Sequence, residues 1–124
     1  MLRATTIWLA MSGPVAALEV PSGQPVEFHE MIWNQPGSGL TYRFRFIAPE
    51  LGQTGRGFDD VAADFEYLCN VYALPRLSSI GPKPTDIIIS MASEPTDFGQ
   101  PSPEVTQFFE AFSLKDGLCI WEYF

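Results

Sequence analysis

The clearest pattern in the chain is an alternation of apolar and polar residues over positions 40–47. Such a period of two places successive side chains on opposite faces of a β-strand. The apolar face would carry Leu40, Tyr42, Phe44 and Phe46, and the polar face Thr41, Arg43 and Arg45. We therefore predict a strand that buries one face against a core.

A first strand is predicted just before it, over residues 26–33, which are rich in Val, Phe, Ile and Trp. Residues 34–39 have the Asn, Pro, Gly and Ser composition of a turn. The two strands therefore form a predicted hairpin with a loop of about six residues.

The next apolar pattern has the period of a helix and begins at Phe58. Its stripe has the i, i+3, i+4 spacing that packs one helix face on a core, with Val61, Ala62, Phe65, Leu68, Cys69 and Tyr72. Asp59 or its neighbour is expected to cap the N-terminus. Pro75 is expected to end the helix at about Leu74.

A third strand is predicted over residues 85–92, where Ile87, Ile88 and Ile89 make both faces apolar and indicate a central position in the sheet. Residues 94–104 contain three prolines and a glycine. They predict a long irregular loop, and such loops are either mobile or functional.

The C-terminal segment has two interpretations. Residues 104–112 have apolar side chains near helical spacing, whereas residues 106–114 would pair as a strand with residues 118–123. Asp116 and Gly117 favour the hairpin. The element order is then β-β-α-β-β-β, and the expected fold is α+β, an antiparallel sheet of about five strands with one amphipathic helix packed on one face.

The N-terminus has the anatomy of a secretory signal peptide over residues 1–17, with a basic head, an apolar run and small residues before a cleavage point. Cleavage is expected after Ala17, with Ala16 as the alternative. A membrane anchor is disfavoured because the apolar run is short and Gly13 and Pro14 interrupt it. Residues 18–124 would then form a single domain, periplasmic or secreted, without a transmembrane segment.

The net charge of the chain restricts the classes of molecule that it could bind. The formal net charge of −8 argues against nucleic acid or anionic lipid as a partner, because both require a cationic surface.

In an oxidising compartment, Cys69 and Cys119 are expected to form a disulfide. The alternative is a pair of separately buried thiols.

Candidate chemistry is sparse. On a strand, Glu27 and His29 would share a face, and pairing with the second strand would bring them beside Arg43 and Arg45. A carboxylate beside an imidazole can serve as a general base or as half of a metal site. Zinc would need at least one more ligand, so we predict no metal, no cofactor and no catalytic residue. Cross-strand ion pairs are the simpler interpretation of these four residues.

Two aromatic residues near the ends of predicted strands suggest a binding role. Trp33 near the hairpin tip and Trp121 near the C-terminus are candidate anchors for a protein partner, although both are also compatible with ordinary packing. We therefore expect a non-enzymatic periplasmic module that binds a protein or assists envelope assembly. The alternative is a small-ligand binder or minor hydrolase that uses Glu27, His29, Arg43 and Arg45.

Three stretches spread over the chain, residues 18–23, 108–110 and 119–122, resemble a small uncharacterised family of exported alphaproteobacterial proteins, a domain of unknown function. Some members of that family carry an acetolactate synthase label. The roughly 107 residues after Ala17 cannot supply the large cofactor-binding domains of a thiamine-dependent synthase. The resemblance therefore implies a periplasmic setting and no established activity.

Overall fold

The computed structural model describes residues 17–34 and 39–122. In this part of the chain, five strands form one sheet in chain order: β1 (Glu27–Asn34), β2 (Thr41–Ile47), β3 (Asp86–Ala92), β4 (Gln107–Lys115) and β5 (Leu118–Trp121). The helical residues 58–80 lie between β2 and β3. The predicted α+β fold with the order β-β-α-β-β-β is confirmed. The leader up to Ala16, most of the first turn, and Tyr123 lie outside the described residues.

The pairing of β2 with β3 is parallel, whereas the pairings β1–β2, β3–β4 and β4–β5 are antiparallel. The sheet is therefore mostly antiparallel rather than wholly so. A parallel pair requires a crossover connection between its strands, and residues 48–85 supply it. The helices are part of this crossover, so they cover one face of the sheet.

The helical segment consists of α1 (Phe58–Tyr67), a π-helical turn (Leu68–Ala73) and α2 (Leu74–Ile80). The expected end at Leu74 is wrong, because helical backbone continues through Pro75 to Ile80. In the π-helical turn, the Leu74 N–H donates to the Cys69 carbonyl five residues earlier. Pro75 therefore occupies the start of a new α-helical segment, where its missing N–H costs little.

The core lies between the helices and the covered face of the sheet. The apolar side chains of β2, predicted from the alternation, are fully buried there together with those of β3 and α1, namely Tyr42, Phe44, Phe46, Ile87, Ile89, Met91, Val61 and Phe65. The order of the strands places β3 at the centre, as its apolar sequence predicts. Arg45, expected on the polar face, is nevertheless buried.

A buried carboxylate connects the N-terminal segment to α1. Asp64 is fully buried and accepts hydrogen bonds from the Ser22 N–H at 2.8 Å, the Ser22 hydroxyl at 2.5 Å and the Gln24 side-chain amide at 2.9 Å. These bonds satisfy a charge that would otherwise be costly to bury. The residues that follow the predicted cleavage point are therefore part of the domain.

The C-terminal hairpin has the two-residue turn that the sequence favours. Lys115 pairs with Leu118, and the turn residues Asp116 and Gly117 have φ values of 53° and 74°. Both values lie in the left-handed region that this tight hairpin turn requires. The strand interpretation of the C-terminal segment is therefore confirmed, and the helical alternative is not.

The π-helical turn fastens β5, which is an edge strand of the described sheet. Cys69 and Cys119 form a disulfide whose Cα atoms are 6.2 Å apart. The next residue, Asn70, accepts the Cys119 backbone N–H with its side-chain oxygen at 3.0 Å. This occupies a backbone donor that an edge strand would otherwise offer to another chain.

Replacing both cysteines by alanine should lower the free energy of unfolding by about 4 kcal/mol, because the disulfide closes a loop across a sequence separation of 50 residues. Urea denaturation of the double variant and the parent measures the difference. A parent reduced under denaturing conditions should match the variant. Equal denaturation midpoints for variant and oxidised parent would contradict this account.

Candidate functional site

The face of the sheet opposite the helices, here called the open face, carries the polar side chains of β2. Arg43 and Arg45 point to this side, with Ser90 of β3 and Phe109 of β4 at neighbouring register positions. The loop of residues 93–106, which joins β3 to β4, folds over part of it. This loop corresponds to the irregular segment predicted at 94–104.

Arg45 connects β1, β2 and the loop. Its side chain is buried and forms an ion pair with Glu30. Its second terminal nitrogen donates to the Thr96 carbonyl at 2.8 Å and to the Thr96 hydroxyl at 3.0 Å. The guanidinium is therefore engaged by partners within the fold, and its role is structural.

The partner of Arg45 on β1 is Glu30, whereas strict alternation placed Glu27 and His29 on the side of the two arginines. A bulge between Phe28 and Glu30 shifts the register, so Glu27 lies opposite Ile47 while Glu30 lies opposite Arg45. Because a bulge inserts an unpaired residue, strict alternation fails from this point.

His29 lies within this bulge and is exposed. Among residues 17–34 and 39–122, neither Glu27 nor His29 forms a side-chain hydrogen bond or ion pair. Neither residue lines the pocket that contains the two arginines. The structure thus brings Arg43 and Arg45 together but leaves Glu27 and His29 apart from them.

Arg43 is half-buried between two aromatic rings. The central carbon of its guanidinium lies 5.1 Å from the ring centroid of Phe98 and 5.8 Å from that of Phe109, which are cation–π distances. Both rings are exposed, by 47% and 61% respectively. In the part of the chain that the structure describes, no carboxylate or carbonyl oxygen accepts a hydrogen bond from Arg43.

Burial and, secondarily, the positive charge of Arg45 lower the pKa of Arg43. The guanidinium nevertheless remains charged at neutral pH, because arginine is too basic to release its proton there. A partly desolvated cation beside a second cation is stabilised by any anion that reaches it. Arg43 is therefore an uncompensated positive charge on an otherwise acidic protein.

The two arginines, the loop and the start of β4 enclose a pocket of about 270 Å³, here called the arginine pocket. Asp97 also lines it, outside ion-pairing distance of either guanidinium. Two grooves on the helical side, of about 310 and 280 Å³, are slightly larger but mostly apolar. We favour the arginine pocket as the site because it combines a concave surface with a cation that has no ion-pair or hydrogen-bond partner among the described residues.

The two tryptophans predicted as anchors lie on the helical side of the sheet. Trp33 is half-exposed and packs edge-to-face on Tyr42 at 5.7 Å. Trp121 donates its ring N–H to Glu110 and borders the groove beside α1. Neither residue lines the arginine pocket.

The aromatic residues of the open face are Phe98 and Phe109, which the sequence interpretation did not single out. The sequence did contain a signal that one phenylalanine would lie on the open face. Phe108 and Phe109 are consecutive, so in a strand one of the two has to point away from the core.

Comparison with known proteins gives a family match and no activity. Residues 4–124 match the model of a family described as a family of unknown function, DUF6497. The chain belongs to DUF6497. No curated protein and no solved structure matches it. Membership in DUF6497 agrees with the resemblance to a family without an established activity, and it assigns no role to any residue.

No helix within residues 17–34 and 39–122 is both long and apolar enough to cross a bilayer. The same residues contain no group of three or more His, Cys, Asp or Glu side chains arranged to hold a metal ion.

The two arginines should respond differently to substitution. Arg45→Met should cost about 2 kcal/mol or more of unfolding free energy, because Glu30 and Thr96 lose a buried charged partner. It should also speed chymotrypsin cleavage after Phe98, since Arg45 holds the loop. Arg43→Met should cost no more than about 1 kcal/mol, the size of a cation–π contact.

Urea denaturation and limited proteolysis of both variants measure these effects. Equal losses of stability, or a larger loss for Arg43→Met, would contradict the assignment of Arg45 as the structural arginine.

Proposed function

We propose that this DUF6497 protein is a non-enzymatic binding module that acts outside the cytoplasm and recognises a protein partner with the open face of its sheet. The observation that carries the proposal is Arg43, held between the exposed rings of Phe98 and Phe109. Arginine and aromatic side chains dominate the energetics of protein interfaces. Their combination on a surface that the helices leave uncovered supports recognition of a macromolecule.

The apolar character of the open face extends to the far edge of the sheet. Leu118 and Ile120 of β5 lie on the same side by their register with Lys115 and Ser113, and they are 55% and 43% exposed. Exposed apolar side chains spread across one face are typical of an interaction surface. A partner that covers this face would bury them together with the two phenylalanines.

A second candidate function is the binding of a small anionic molecule, which the concave shape of the arginine pocket favours. The hydrolase form of that alternative receives no support from the geometry. The hydrolase would need His29, the one histidine of the sequence, as its base, but His29 lies in the β1 bulge and does not line the arginine pocket.

Action outside the cytoplasm is supported by the signal-peptide pattern of residues 1–17 and by the Cys69–Cys119 disulfide. When the full chain is expressed in a Gram-negative host, the product should reach the periplasm and begin at Leu18. Cell fractionation and intact mass spectrometry measure both properties. Ala17→Asp should block processing, because the cleavage site needs a small residue there. A parent chain that stays full-length in the cytoplasm would contradict export.

The binding surface can be tested with a photo-crosslinking residue, p-benzoylphenylalanine, placed at Phe109 on the open face. The matched control carries it at Val71, an equally apolar residue that is 52% exposed on the helical segment. In native cells, position 109 should give one dominant adduct that weakens when Phe98→Ser removes the neighbouring ring. Position 71 should not give that adduct.

The same adduct from both positions, or from position 71 alone, would contradict recognition by the open face.

A further inference from the structure

We propose that the arginine pocket receives a single carboxylate on an apolar segment of the partner protein, and that Arg43 is the residue that binds it. This inference rests on the proposed function and adds the chemistry of what is recognised. The charges around Arg43, the donors that remain free on its guanidinium and the size of the pocket support it.

The two arginines differ in whether their charge is compensated within the fold. Arg45 is neutralised by Glu30 and hydrogen-bonded to Thr96, so its charge is already compensated. Arg43 has neither kind of partner among the described residues. In a chain with 15 acidic and 7 basic residues, a half-buried cation that forms no ion pair within the described residues is available for an external anion.

The two aromatic rings leave the N–H donors of Arg43 without acceptors among the described residues. Contact with Phe98 and Phe109 stabilises the positive charge of Arg43 through the ring electrons. It does not replace directed acceptors, and a guanidinium has five N–H donors. A carboxylate matches this planar fork with two parallel hydrogen bonds.

The pocket favours a single carboxylate over a more highly charged anion. Asp97 lines the pocket and the chain carries a net charge of −8, so a doubly charged phosphate would be repelled more strongly. The volume of about 270 Å³ lies just below the range of about 300–1,000 Å³ that is usual for small-molecule sites. It is suited to one side chain or a chain terminus, whose apolar neighbours would contact the exposed rings.

The test is a titration of the processed protein, labelled with ¹⁵N, in which the arginine Nε–Hε signals are followed by NMR. The probes are N-acetylphenylalanine, which carries a carboxylate and an apolar ring, its uncharged amide, and inorganic phosphate. The carboxylate should shift the Arg43 signal to saturation, and the amide should not. Phosphate should bind more weakly than the carboxylate.

Two arginine variants test whether Arg43 is the residue that binds the carboxylate. Arg43→Met should weaken binding of N-acetylphenylalanine by about tenfold or more, the worth of a charge-assisted hydrogen bond. Arg76→Met is the matched control, because Arg76 also lies over an aromatic ring, that of Tyr72 at 3.5 Å, but on the helical segment. It should leave the affinity unchanged. The backbone NMR spectra of both variants report whether the fold is retained.

The proposal is overturned if the amide shifts the Arg43 signal as the carboxylate does, if phosphate binds more tightly, or if Arg76→Met weakens binding as much as Arg43→Met. Failure of the two proposals is distinguishable. A Phe109 adduct without carboxylate binding overturns this inference alone. Carboxylate binding without an adduct overturns the protein-binding function and leaves the small-ligand alternative.

Discussion

The parallel pairing of β2 with β3 determines which surface of this domain is available for recognition. A parallel pair has to be joined by a crossover, and this crossover contains the helices, which cover one face of the sheet. Arg43 and Arg45 alternate with the core residues of β2 and therefore point to the other face. The loop of residues 93–106 then surrounds them, because Thr96 binds Arg45 and Phe98 packs on Arg43.

The two faces consequently have different roles. On the covered face, Asp64 holds the N-terminal segment, and the disulfide together with Asn70 holds β5. The π-helical turn contains both Cys69 and Asn70, whose side chains engage the same residue of β5, Cys119. On the open face, one arginine is fully engaged by the fold while the other retains free donors. Arg45 thus stabilises the fold from within the arginine pocket, whereas the donors of Arg43 take no part in holding the fold together.

Sequence patterns predicted the elements whose structure depends on local periodicity or turn chemistry. The alternation of β2, the apolar β3 and the Asp116–Gly117 turn are examples. The continuation of the helix through Pro75 was not predicted, because it depends on the backbone bond between Leu74 and Cys69 in a π-helical turn.

The candidate site was predicted only in part, because some of its contacts also depend on features that local sequence patterns do not reveal. Both arginines were identified, but Glu30 was not, because a bulge at His29 brings it opposite Arg45 and a strict period of two cannot reveal a bulge. Phe98 lies in an irregular loop whose position only the tertiary fold determines.

The most direct test of carboxylate recognition by Arg43 is a crystal structure of the processed protein grown with N-acetylphenylalanine. We expect the carboxylate within hydrogen-bond distance of Arg43, with the ligand against Phe98 and Phe109. A ligand bound beside Trp121 instead, with the arginine pocket unchanged, would contradict the account.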